Sequence, residues 1–321
     1  MRLKSSYRDD MVARFWKYQK EAFRSSMKFF ERPEMPDGRP PVFHKHADAF
    51  NVLMAPDISP EDRARLMGYI PMRERHRWFR SMSSSQAIAL SVFGNLKVYG
   101  FLDLLKELQD EHGRPIFGKE AITPKNFRME YKVESLGEPR PTSLDALITE
   151  KDPVAIECKL MESEVGSCSR PRLTKRDSNY EMDFCDGTYT FQRGRVERCS
   201  LTEIGVKYWT YVPRIFKWKS DADLDPCPLR ANYQLVRNVL AVSAPSDVKP
   251  SGEGHVVFVY DDRNPAFQRG GKGYAAYEEM KNALHAPDRL RKCSWQQIGR
   301  LIRGEKGLSW LADQLEAKYG I

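Results

Sequence analysis

At 321 residues and 37.2 kDa, with 41% hydrophobic residues, the chain has enough apolar material for one large globular domain or a core with appendages. Six cysteines, at 158, 168, 185, 199, 227 and 293, include no Cys-x-x-Cys pair, and a chain this long is not a small secreted disulfide scaffold. The formal net charge is +8, from 52 Lys+Arg against 44 Asp+Glu, a modest excess that favours a polyanionic partner without requiring one.

No apolar run reaches the length of a membrane span. Met1-Arg-Leu-Lys-Ser-Ser leads into a polar segment and does not resemble a secretory signal, so a soluble cytoplasmic protein is expected. No complete phosphate-cradling Gly-x-x-x-x-Gly-Lys-Ser/Thr, no Gly-x-Ser-x-Gly and no Gly-x-Gly-x-x-Gly fingerprint is present.

Residues 8–30 read as an amphipathic helix, with Met11, Phe15, Tyr18, Ala22 and Phe23 at near-helical spacing. Residues 31–41, rich in proline, read as a linker. His44, His46 and Asp48 have alternating metal-ligand spacing but no fourth ligand in view. A short helix over 61–70 follows Pro60. Residues 73–80 are densely basic with two aromatics; Trp78 or Phe79 could stack on bases, or the aromatics could simply pack. A helix is expected over 83–110, with a stripe running from Ile88 to Leu108. Ser83-x-x-Gln86 fits a capping box, which is one reading of Gln86.

Residues 127–133 alternate cleanly, with Phe127, Met129, Tyr131 and Val133 on one side. Glu130 and Glu134 lie on the other side and could supply a carboxylate or face solvent. The next segment, Ser143 to Lys159, reads as a β-hairpin turning at Thr149-Glu-Lys-Asp-Pro153. Period-two alternation sets Leu144, Ala146 and Ile148 against Asp145 and Leu147. It likewise sets Val154, Ile156, Cys158 and Leu160 against Ala155, Glu157 and Lys159. A turn centred on Lys151 brings Asp145 opposite Glu157, with Cβ atoms about 4.5–5.5 Å apart. Two carboxylates so close repel unless a cation neutralises them, and a hard divalent ion with oxygen ligands does so. Lys159 adds a positive charge that could orient water or balance a phosphate. The bland alternative is a cross-strand charge cluster in a two-sided strand pair.

Further on, 166–198 is polar and basic, with Arg170, Arg172, Lys175 and Arg176 clustered as DNA contacts or as a charged surface loop. Residues 207–219 interleave aromatics with basic residues. A helix over 231–244 carries Gln234, Arg237 and Asn238, polar groups that could touch the site or a substrate backbone. Residues 255–260 read as a strand ending in the turn Asp261-Asp262-Arg263. Helices capped by Ser294-x-x-Gln297 and starting at Ser309 close the chain, with a break over 304–307.

Asp145, eleven intervening residues and then Glu157-Cys158-Lys159 resemble the motif of the PD-(D/E)xK nuclease superfamily, in its bacterial restriction-endonuclease-like branch. Ser84-Ser85-Gln86-Ala87, Leu136-Gly137-Glu138, Pro141-Thr142, Glu162 and Tyr233-Gln-Leu-Val-Arg237-Asn238 extend the likeness over roughly residues 81–262. The residue before the aspartate is Leu144, where the name of the motif has proline; the nearest proline is Pro141.

The resemblance implies an α/β fold, a mixed central β-sheet flanked by helices. Residues 81–265 would form the nuclease core, between a helical N-terminal extension (1–80) and a helical C-terminal region (266–321). It implies a Mg2+-dependent DNA endonuclease, Mn2+ substituting, in restriction or phage defence. Asp145, Glu157 and the carbonyl of Cys158 would bind metal, and Lys159 would be the catalytic lysine. Gln86 would sit near the metal as a polar helix residue. Glu130, Glu134 and Glu162 are further carboxylates within reach. Arg170, Arg172, Lys175, Arg176, Gln234 and Arg237 would meet DNA. A homodimer is expected if both strands are cut. A non-catalytic nucleic-acid-binding or assembly module with the same fold, or a nuclease acting on RNA or single strands, is the competing function. Some nucleases of this fold carry an iron–sulfur cluster, but the long, irregular gaps between Cys168, Cys185, Cys199 and Cys227 argue against one here.

Overall fold

The computed structural model describes residues 6–32, 38–170, 185, 199–219, 224, 226–243 and 254–321. Among them runs a five-stranded sheet in the order β1-β2-β3-β4-β5, with β1 Phe127–Val133, β2 Thr142–Ile148, β3 Val154–Cys158, β4 His255–Tyr260 and β5 Leu290–Ser294. The first three strands pair antiparallel, and β4 and β5 then add in parallel. Parallel strands need a crossover, and the chain between β3 and β4 supplies one that includes α5 (Ser200–Glu203), α6 (Tyr208–Ile215) and α7 (Leu229–Ser243). This is the mixed sheet with flanking helices that the sequence leads one to expect.

Each face of the sheet has its own core. One is built from α1 (Tyr7–Ala22), α2 (Pro60–Gly68), α3 (Ser85–Ala89), a π-helical turn over Leu90–Gly94, α4 (Asn95–Tyr99), α9 (Trp295–Gly304) and α10 (Ser309–Tyr319). The other is built from α6, α7 and α8 (Lys272–Ala283). The strand β3 is buried along its whole length, as a strand covered on both faces should be. No described helix is long and apolar enough to cross a membrane.

Several local expectations need correction. The first helix stops at Ala22, short of residue 30. The helix expected over 83–110 ends at Tyr99, because Gly100 takes a left-handed φ of 81° and its N–H turns back to Leu96. Its N-cap is Ser84, which accepts from the Ala87 N–H, so Ser83 and Gln86 do not form a capping box. The C-terminal region is not wholly helical, since β5 lies within it and completes the sheet. Elsewhere the signals hold: Ser294 and Gln297 form a reciprocal capping box, and β4 spans His255–Tyr260.

Candidate active site

The hairpin register is the one the turn chemistry implies. Ala146 pairs with Ile156, Leu147 with Ala155 and Ile148 with Val154, which carries Asp145 to the level of Glu157. On the other side Met129 pairs with Ala146 and Tyr131 with Leu144, so Glu130 falls level with Asp145. Three carboxylates therefore sit side by side across β1, β2 and β3.

Regular pairing lapses at this row. Glu130 is in the left-handed region, φ 47°, the one non-glycine among the described residues that is. That conformation is costly for a residue with a Cβ and is typical of functional sites. It also breaks the alternation of faces. Phe127 and Met129 enter one core, whereas Tyr131 and Val133 enter the other. Across the ladder Leu144 joins Leu147 instead of Ala146 and Ile148, which corrects the strict alternation expected of both strands. Asp145 Oδ2 accepts the Cys158 N–H at 2.7 Å.

Each acid is held by named donors. Glu157, 1% exposed, accepts from Lys159 Nζ at 2.7 Å through Oε1 and from Asn238 Nδ2 at 2.6 Å through Oε2. Lys159 Nζ also donates to Gln234 Oε1 at 2.8 Å, and its carbonyl takes the Trp295 indole N–H. Glu130 accepts from Gln86 Nε2 at 2.5 Å and from Ser143 Oγ at 2.6 Å. Gln86 in turn accepts the His76 N–H at 2.9 Å. Glu162 accepts the Leu160 N–H at 2.6 Å.

The charges are strained by proximity. Burial, then Glu157 and Glu130, push the Asp145 carboxyl well above the usual carboxylate range. Burial likewise raises Glu130, against the bonds from Ser143 and Gln86. Burial pulls Lys159 down, but Glu157 and Glu162 outweigh it, so the ammonium is held above its ordinary value.

These groups open onto a cleft of about 940 Å³. Its lining acids are Glu74, Glu130, Asp145, Glu157 and Glu162, against the fixed cations Arg8, Arg39 and Lys159. An acidic cleft repels phosphate unless a cation enters with it. The donors are hard oxygens, the set a magnesium ion takes. Among the described residues no three acidic, histidine or cysteine side chains are already grouped as a metal cage. The oxygens are instead engaged by the neighbours named above, which a metal would have to displace in part.

Of the residues singled out from the sequence, Asp145, Glu157, Cys158, Lys159, Gln86, Glu130, Glu162 and Gln234 all line this cleft. Glu134 is not among its lining residues; it is exposed, past the end of β1. Arg237 lies with its guanidinium 5.8 Å from the Tyr233 ring and is not among the lining residues either. Arg170 borders a different, small cavity. Arg172, Lys175 and Arg176 lie outside the described residues. The two aromatics of 73–80 divide: Phe79 is buried at 1% exposure, while Trp78 is 48% exposed and lines the cleft. Both oxygens of Asp48 accept from Arg75 Nη1, leaving it no part in a His44–His46 zinc site. Sequence reasoning missed Ser143, His76, Arg8 and Arg39. None has a local signal: His76, Arg8 and Arg39 reach the cleft through the tertiary fold, and Ser143 bears on it through its hydrogen bond to Glu130.

A family model described as Restriction Endonuclease associating with ARP matches residues 18–320. No curated protein and no solved structure matches the chain.

Proposed function

The chain belongs to the family of restriction endonucleases associating with ARP, and on that premise we propose that it is a metal-dependent DNA endonuclease acting in restriction or phage defence. The observation that carries this reading is the row Glu130, Asp145, Glu157, with Lys159 bonded to the last, at the floor of an open cleft. The buried end of a central strand is a costly place for a glutamate, and the residue just past it for a lysine. Stability alone gives no reason to gather three acids around them.

Asp145, Glu157 and the Cys158 carbonyl would hold magnesium, manganese substituting, with Glu130 and Glu162 lining the same cleft. When bound, the ion lowers the pKa of a coordinated water and polarises the scissile phosphate. The protein's own part is orientation and charge. Gln234 and Glu157 fix the Lys159 ammonium, which offsets negative charge developing on the phosphate. Asn238 fixes the rotamer of Glu157. Gln86 and Ser143 fix Glu130. Arg8, Arg39 and Trp78 line the same cleft and would meet the DNA backbone or an unstacked base.

Supercoiled plasmid, incubated with magnesium or with EDTA, tests the proposal. Wild type should nick only with magnesium, and Asp145→Ala and Lys159→Ala should each lower the rate by at least ~100-fold. Equal nicking by all three proteins would mark a contaminant. No nicking by wild type with magnesium or manganese on duplex, single-stranded DNA or RNA would favour the non-catalytic binding module.

A further inference from the structure

The crossover between β3 and β4 carries a second cluster of chemistry. Cys168, Cys185, Cys199 and Cys227 all line one cavity of about 20 Å³, together with Arg170 and Arg230. All four thiols are free. Their separations along the chain are irregular, and only the fold brings them together.

The local turns around Cys168, Cys199 and Cys227 are alike. The sulfur of Cys168 is hydrogen-bonded by the main chain of Arg170, that of Cys199 by Leu201 and Thr202, and that of Cys227 by Leu229. In each case a donor lies two residues downstream. Burial still holds all three thiols above their ordinary range, and main-chain N–H groups aimed at sulfur are the outer partners that a metal-bound thiolate accepts from. A disulfide would join the sulfurs in pairs and would not need four in one place.

We propose that these four cysteines bind a single thiophilic metal ion, zinc, as a structural tetrathiolate site. A donor set of four thiolates is one that structural zinc takes. The cavity, about 20 Å³, has room for a single ion. Four thiols binding one Zn2+ release four protons to solvent and leave a net charge of −2, which Arg170 and Arg230 are placed to balance. Among the described residues no such group is already drawn into a cage, so the ion would close the four sulfurs onto itself.

The site would also support the cleft. Cys227 precedes α7, which carries Gln234 and Asn238, the partners of Lys159 and Glu157. The Cys168 N–H donates to Arg230 O, and Gln234 N–H to Gly166 O. An ion at the cysteines would therefore pin the chain leaving β3 to the start of that helix.

The test is metal content and does not depend on nuclease activity. Full-length protein purified without added metal or chelator should contain about one zinc per chain by mass spectrometry, as should Cys293→Ala, whose sulfur lies outside the cavity. Cys199→Ser and Cys227→Ser should lose most of it. Should those variants misfold, cobalt(II) titrated into reduced, metal-stripped wild type gives a second measurement. The expected spectrum has thiolate-to-cobalt charge transfer and the visible bands of a tetrahedral ion. Wild type with neither zinc nor that cobalt spectrum would overturn the proposal, as would full zinc retention by both serine variants. Iron with acid-labile sulfide would overturn the single-ion assignment.

Discussion

Glu157 shows how one residue can be secured in an environment hostile to it. It sits in a fully buried strand, and its two oxygens are taken by Lys159 and by Asn238. Removing a group that orients a metal-binding carboxylate typically costs 10–100-fold in metal affinity or activity. Asn238→Leu keeps the side chain's size and removes the amide. Plasmid cleavage should fall by roughly that factor, and the magnesium needed for half-maximal rate should rise. An unchanged rate and magnesium dependence would show that Asn238 does not orient the carboxylate. At this scale the sequence was informative where the strand period applied: Asp145, Glu157 and Lys159 lie within one hairpin, and a turn centre plus alternation placed them together. The Gln86–Glu130 bond spans 44 residues and depends on an unusual backbone angle at Glu130, neither of which a residue pattern records.

The elements around the site are distorted in ways that serve it. The left-handed φ of Glu130 interrupts β1 just where its carboxylate meets Asp145, and it transfers Tyr131 and Val133 to the opposite core. Such a conformation costs of order 1–3 kcal/mol for a residue with a side chain. Burial beside two other acids adds to the cost. Glu130→Gly should therefore hold or raise the melting temperature while lowering cleavage. A clear loss of stability would mean that the bonds from Gln86 and Ser143 outweigh the backbone strain. Strand existence was legible from alternation; the switch of faces was not, because alternation assumes the very backbone regularity that Glu130 abandons. The same holds for the helix over 83–110, whose stripe continues past Gly100 although the helix does not.

Across the whole molecule the two ends of the chain close on the same core. The strand β5 and helices α9 and α10 complete the sheet and its first face, and α1 packs on α10. Composition could not reveal this, since the terminal helices read as separate extensions. Lys318 of α10 marks the junction: wholly buried, it donates to Asn51 O at 2.5 Å and to Asn51 Oδ1 at 2.8 Å. Burial pulls its ammonium down to about 7. Unfolded, the same lysine titrates near its ordinary value of 10.5. Between those two values the unfolded chain binds more protons than the folded one, so this lysine makes stability rise with pH. Below about 7 the cost of burying the charge is fully present and constant. Denaturant melts of wild type and Lys318→Met between about pH 7 and 9 isolate the effect. Wild type should gain stability relative to the variant by at most ~1.4 kcal/mol per pH unit, with the difference flat below about pH 6. Parallel pH profiles for the two proteins would mean that Lys318 stays protonated in the fold, its charge stabilised by Asn51 and the neighbouring rings of Tyr18 and Tyr319.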